Sequence, residues 1–332
     1  MALKRLLSRF SIPQRLAAAA AVSILLGAGV WLVVARATGP QPAALATPVA
    51  TSTPSPTPSA TPRPTPTPAL TATPEPDPDV ANVTILLVGR DYLAARVALG
   101  ESGMNTDMLI VANIRADASR IDLMSLPRDS VDVPLGDGGV WRGKINSLRA
   151  ARGLPALKQA MSAALAIPID YYAEMTMDDL SRIVNSVGGV TVTLAAPLRD
   201  FHLGISWRAG ANQLDGRTAV LFARSRFADS DYARAARNQL LLIALRDKLL
   251  GGGYDPLALL TSLPGLATDI PAGDMPMLLE LARQTAGAPI VGKVLAPPEY
   301  TRFTGLSGAR GWVSIPNLDA IRAYADSVLS AP

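Results

Sequence analysis

Two early carboxylates and a train of fixed cations are the residues of this chain best suited to chemistry. Asp91 closes the motif LLVGRD and Asp107 lies in NTDM, each at the end of an apolar run. Arg128 follows in SLPRD, Lys144 in KIN, Arg224 and Arg226 in FARSR, and Arg234, Arg237 and Asn238 in DYARAARN. Two carboxylates brought to one sheet edge suit a hard divalent ion whose other ligands are phosphate oxygens and water. Guanidinium groups match phosphate bidentately, so the set as a whole suits a multiply charged phosphate ester. Spacing alone leaves plainer roles open. Asp91 and Asp107 could cap loops, Arg128 could pair with Asp129, Lys144 could be solvated, and Arg224 and Arg226 could pair with Asp229 and Asp231.

Taken in order, these motifs resemble the LytR-CpsA-Psr (LCP) family of cell-wall assembly enzymes over roughly Asn82 to Leu250. The resemblance implies a membrane-anchored, Mg²⁺-dependent phosphotransferase. Such an enzyme moves a glycopolymer from a polyprenyl-pyrophosphate carrier to peptidoglycan on the outer side of the membrane. It assigns Asp91 and Asp107 to the metal and, with Arg128, to catalysis; on chemical grounds Asp91 or Asp107 could also act as base toward the acceptor hydroxyl. Lys144, Arg224, Arg226, Arg234, Arg237 and Asn238 become substrate contacts. The same site using water would be a polyprenyl-pyrophosphate phosphatase, and without turnover it would be an envelope protein binding polyprenyl phosphates or wall polymer. Two positions depart from the family pattern. Asn105 stands where arginine is usual and Asn238 where glutamine is usual, so Arg90, Arg96 or Arg142 is expected to replace a lost phosphate contact.

The elements that must position these residues follow from periodicity. Asn82–Gly89, Asp107–Ile114 and Arg120–Leu126 are continuous apolar runs that predict buried strands, with a further strand at Val190–Leu194. Helical spacing predicts helices over Leu157–Ala166 and Asp178–Val187, the second stopped by Gly188-Gly189. Asp215 is the expected N-cap of a short helix across Thr218–Ala223, and Asp231 that of a longer one to Leu250. On that longer helix Arg234, Arg237 and Asn238 share a side near the N-terminal pole, where unpaired N–H groups favour an anion. Strands near Lys293–Ala296 and Gly311–Ile315 and a helix over Leu318–Leu329 complete the reading. Alternating strands and helices imply an α/β (α+β) layered fold with a central mixed sheet flanked by helices.

The 332 residues divide on composition. Residues 1–15 carry Lys4, Arg5, Arg9 and Arg15, and 16–35 form an uncharged apolar run long enough for a single transmembrane helix. The positive-inside bias places the N-terminus in the cytoplasm and the globular part outside the cell membrane. Residues 36–80 are a Pro/Thr-rich linker with too little apolar surface to order. The catalytic unit is expected over 81–252, and 253–332 is expected to continue the same domain. Absence of cysteine excludes a disulfide framework, a thiolate nucleophile and a Cys-based zinc site. A net charge of +4 without a long basic run, and with 5% aromatics, argues against nucleic acid. Gly138–Lys144 spells most of a P-loop, but Ile145 replaces the required hydroxyl residue, so a turn is expected there. His202, the sole histidine, rules out a His-rich metal site and reads as a loop residue. Sequence leaves oligomeric state open.

Overall fold

The computed structural model describes residues 82–100, 105–226, 230–263 and 265–330. The expected anchor and linker lie outside the described residues. Among the described ones no helix is long and apolar enough to cross a membrane.

The chain enters on Val83–Arg90 (β1), makes the short helix Ala94–Ala98 (α1), and returns antiparallel as Thr106–Ile114 (β2), followed by Ile121–Ser125 (β3). A small ladder of Val133–Pro134 (β4) with Val140–Trp141 (β5) precedes the helix Leu148–Leu165 (α2). This helix begins earlier than its apolar spacing indicates, and it breaks at Gly153 (φ 85°), two residues before Pro155. Tyr171–Thr176 (β6) then runs parallel to β1, and Met177–Ser186 (α3) starts on a capping box of Thr176 and Asp179. Val190–Leu194 (β7) pairs with Gly210–Leu214 (β10), enclosing the hairpin of Leu198–Asp200 (β8) and Ile205–Trp207 (β9).

Gly216–Arg224 (α4) is capped by Asp215 as expected, with Thr218 N–H donating to Asp215 Oδ1 at 2.7 Å. The long helix Asp231–Gly251 (α5) is capped one residue earlier than expected. Ser230 accepts from Ala233 N at 3.1 Å, which leaves the Asp231 carboxylate free of capping duty. Pro256–Ser262 (α6), Ala267–Thr268 (β11), Met275–Gln284 (α7), Ile290–Val294 (β12), the hairpin Thr301–Leu306 (β13) and Trp312–Pro316 (β14), and Leu318–Ser330 (α8) follow.

The main sheet has the order β11-β6-β1-β2-β3-β12 and mixes parallel and antiparallel neighbours. Alternate residues of the central strands face opposite layers, as the two-residue side-chain period requires. Leu86, Val88, Leu109, Val111 and Met124 pack with α2 and α8, whereas Ile85, Leu87, Ile110, Ala112 and Leu123 meet α5 and α7. A third cluster joins α3, α4 and the later half of α5 to β7 and β10. The expected layered fold with a mixed central sheet is therefore what this chain adopts. Both faces are covered, and Asp91, Asp107 and Arg128 sit at the end of the sheet where β1 finishes and β2 starts.

Candidate functional site

At that end the ladder slips. Gly89 pairs with Met108 but Arg90 pairs with Thr106, so Asp107 is the extra residue of a bulge. Bulges redirect a side chain and are concentrated beside active sites. Glycine is required opposite it, because a Cβ on Gly89 would lie 2.8 Å from the Met108 Cβ. Asp91 leaves β1 with its N–H donating to Asn105 O at 3.0 Å, which ties both aspartates to one sheet end.

Each carboxylate anchors its own cation network. Asp107 receives Arg128 Nη1 at 2.7 Å on one oxygen and Arg234 Nη1 at 3.4 Å on the other. Asp231 bridges the same two arginines, at 3.4 Å from Arg128 Nε and 3.4 Å from Arg234 Nη2. Asp91 receives Arg224 Nε at 3.2 Å and Arg96 Nη1 at 3.0 Å. The Arg224-Ser225-Arg226 turn joins the two networks: Arg224 reaches Asp91, while the charge of Arg226 is felt at Asp231 and Arg234. Arg224 thus pairs internally with Asp91, and Asp231 lies against Arg128 and Arg234.

Electrostatics reflect crowding by like charge. Burial presses against the Arg128 cation, yet Asp107, Asp231 and Asp129 outweigh it and raise its pKa. Arg234 is more deeply enclosed, and burial, with Arg128 and Arg226 adding to it, lowers its pKa despite Asp107 and Asp231. Burial raises Asp129, and its hydrogen bond with Asp231 works in the same direction against Lys144 and Arg128. Burial opposes ionisation of Asp231 too, but Arg234 and Arg128 hold its pKa below the usual carboxylate value. Among the described residues six cations (Arg96, Arg128, Lys144, Arg224, Arg226, Arg234) meet four carboxylates (Asp91, Asp107, Asp129, Asp231), so the described part of the cluster is net positive. That excess positive charge suits an anionic ligand.

Two expected contacts sit one step back. Lys144 Nζ lies 2.9 Å from Asp129 Oδ1, beside the Asp107 network. Arg237 donates to Ser225 O and so braces the Arg224–Arg226 turn from behind. Asn238 is buried next to Arg234 and lines two adjoining cavities. Of the expected substitutes for the missing arginine at 105, Arg96 joins Asp91. Arg142 instead pairs with Asp132 at 3.2 Å, and Arg90 lies over the Tyr92 ring. The P-loop look-alike is a turn closed by Asp137 Oδ1 accepting from Gly139 N at 2.8 Å.

Sequence reasoning missed Asp200. This fully buried carboxylate accepts from Ser225 Oγ at 2.9 Å, Arg226 N at 3.1 Å, and His202 N and Leu203 N at 3.0 Å each. It pins the arginine turn, and the only sequence signal was an aspartate leading a turn.

In donor type, Asp91 and Asp107 suit a hard cation. Among the described residues no group of three or more His, Cys, Asp or Glu could hold a metal. A cation at this pair would need phosphate oxygens and water to complete its shell, which is the usual habit of Mg²⁺.

The LytR_cpsA_psr family model matches residues 57–253, more than half of the chain. This chain belongs to the LytR_cpsA_psr family. Among its relatives, a probable cell wall biosynthesis protein, LcpB, of Corynebacterium glutamicum is 35% identical over 125 residues, 37% of this chain and 29% of that one. Polyisoprenyl-teichoic acid–peptidoglycan teichoic acid transferase TagT of Bacillus subtilis is 28% identical over 174 residues, 50% of this chain and 52% of the relative. The matches thus span about half or less of these relatives' lengths. The crystal structure of B. subtilis TagT superposes with a TM-score of 0.57 at 21% identity, covering 77% of this chain and 94% of that one, which establishes the shared LCP fold.

Proposed function

We propose that this LCP-family chain is a membrane-anchored, Mg²⁺-dependent phosphotransferase that moves a glycopolymer from a polyprenyl-pyrophosphate carrier to peptidoglycan. One observation carries the reading. The cation cluster opens on a cavity bounded by Asp107, Arg128, Asp231 and Arg234, and Met108 and Asn238 line both it and a second cavity. The second cavity is walled by Met175, Met177, Leu180, Leu241 and Leu245 between the sheet end, α3 and α5. A space of about 10 Å³ beside the cation cluster adjoins an apolar one of about 30 Å³, an order of polarity that matches the anionic head and hydrocarbon tail of an amphiphile, although both must widen to admit one. The name carried by the B. subtilis relative, a polyisoprenyl-teichoic acid–peptidoglycan teichoic acid transferase, describes the same ligand chemistry.

In this scheme Asp91 and Asp107 would hold Mg²⁺, which when bound supplies charge neutralisation of the diphosphate. Arg128 and Arg234 balance the phosphoryl group being transferred, and Arg224 and Arg226 stabilise charge on the departing lipid phosphate. The acceptor sugar hydroxyl forms the new P–O bond, the P–O bond to the prenyl phosphate breaks, and Asp91 or Asp107 takes the hydroxyl proton. The apolar segment at 16–35 and the linker at 36–80 would keep the site beside its lipid donor on the outer membrane face.

The test is reconstitution of the full chain with Mg²⁺, a prenyl-pyrophosphate-linked glycan and peptidoglycan. A phosphodiester-linked product, abolished by Asp107→Ala and by Arg226→Ala, is the expected result. Release of lipid and sugar phosphates with no linked product would replace this reading with a lipid pyrophosphatase. Binding of the donor without turnover would replace it with a non-catalytic envelope protein.

A further inference from the structure

We propose that a third cavity, on the far side of Arg128, is a carbohydrate subsite that takes a pyranose ring next to the phosphate. This deepens the reading above and rests on it. The cavity, of about 210 Å³, is bounded by Arg128, Asp129, Asp231, Tyr232, Trp312 and Ser314. Arg128 and Asp231 also bound the charged compartment, so the two spaces share a wall.

Its chemistry differs from the lipid side. Trp312 keeps 54% of its surface exposed and offers a flat apolar ring in a place where no core requires it. Opposite polarity is close at hand in the carboxylates of Asp129 and Asp231 and the hydroxyl of Ser314. A pyranose has this same division, with an apolar C–H face that stacks on an aromatic ring and a rim of hydroxyls that donate to carboxylates. A second prenyl chain would strip water from those carboxylates and from the Ser314 hydroxyl while offering them no hydrogen bond, which is costly.

The walls are rigid, as a binding site requires. Ser314 N donates to Asp129 O and Val131 N donates to Ser314 O, each at 3.0 Å, so β14 is laddered onto the segment that carries Arg128 and Asp129. Tyr232 is fixed to the same hairpin by its hydroxyl, 3.1 Å from Thr304 Oγ1 and 3.4 Å from Ser314 Oγ. The backbone that carries Trp312 is therefore fixed relative to the segment that carries Arg128.

Two sugars share this chemistry: the acceptor ring of peptidoglycan and the first ring of the donor glycan. Saturation-transfer NMR on the full chain separates them, using a soluble peptidoglycan disaccharide and a hexose 1-phosphate as probes. We expect the wild type to bind at least one probe, Trp312→Ala to bind it at least about fivefold more weakly, and Trp312→Phe to retain most of the affinity. Binding that persists when inorganic pyrophosphate fills the cation cluster identifies the acceptor ring; binding that pyrophosphate displaces identifies the donor ring. If neither probe binds, or if Trp312→Ala binds both as tightly as wild type, the subsite is overturned. Titration of the wild type with a prenyl pyrophosphate runs alongside, and its failure would overturn the phosphotransferase reading separately from the sugar result.

Discussion

Arg128 Nη1 lies 2.7 Å from Asp107 Oδ1, and that carboxylate is shared with Arg234, which sits 3.4 Å from its other oxygen. Asp107 thus has two consequences: it offers oxygens to a cation, and it occupies guanidinium groups that would otherwise grip phosphate. The two effects separate in one variant. Asp107→Asn keeps the shape but removes the charge, so in EDTA inorganic pyrophosphate should bind at least about fivefold more tightly than to wild type. Mg²⁺-dependent turnover should fall by at least about 100-fold in the same variant. Calorimetry and a transfer assay check the pair of results; weaker metal-free binding would refute the idea that Asp107 restrains the two arginines.

Arg96, five residues further along the chain on the short helix α1, takes up the carboxylate of Asp91 together with Arg224. Asn105, which stands where the family pattern has arginine, contributes its backbone carbonyl to Asp91 N. Arg96→Ala should therefore lower kcat/KM by roughly tenfold, the loss of one charge-assisted contact. Restoring the family residue with Asn105→Arg in that background should recover part of the rate. No loss in Arg96→Ala would show that this arginine only ties down its loop.

The helix carrying Arg234 is held to the sheet by a buried amide. Gln239 Nε2 donates to Ser125 Oγ at 2.7 Å and to Lys293 O at 3.2 Å, spanning β3 and β12. Gln239→Leu leaves the Ser125 hydroxyl and a strand carbonyl without this donor and should cost about 1–3 kcal/mol in denaturant unfolding. Gly292→Ala should also destabilise, because the added Cβ would come within 2.3 Å of Gln239 Oε1. A rise in KM for the donor in Gln239→Leu would show that the amide also sets the position of Arg234.

The central strands were legible because runs such as Val83–Gly89 are buried on both sheet faces and carry nearly continuous apolar sequence. Gly210–Leu214, with Asn212 and Gln213 in it, and the three-residue strands at Leu198 and Ile205 gave no such signal. Their pairing is fixed by tertiary contact, which outweighs weak strand propensity. The motifs identified the chemical groups of the candidate site, but not who holds whom. Arg128 meets Asp231 across 103 residues, and Asp91 meets Arg224 only because α4 ends beside the tip of β1. Trp312 fell in an expected strand that carried no site, Asp200 had no motif around it, and both became visible as site residues only when the β13–β14 hairpin and the arginine turn were in place.

Asp129 and Asp231 respond to acid in opposite senses. Burial, with the hydrogen bond to Asp231, raises the Asp129 pKa in the folded chain, so its contribution to stability is present below the unfolded value and lost as pH rises through the folded one. Asp231 resists burial through Arg234 and Arg128, and its folded pKa is lowered. Its contribution is therefore present above the unfolded value and lost as pH falls through the folded one. In wild type the two slopes partly cancel over the acid range. Asp129→Asn removes one titration but keeps an amide able to donate to Asp231, so stability should fall more steeply with acid than in wild type between about pH 2 and pH 5. Asp231→Asn should flatten the same curve. Urea unfolding across that range measures both slopes, and identical acid profiles for the two variants would mean that Asp129 and Asp231 do not titrate in opposite senses.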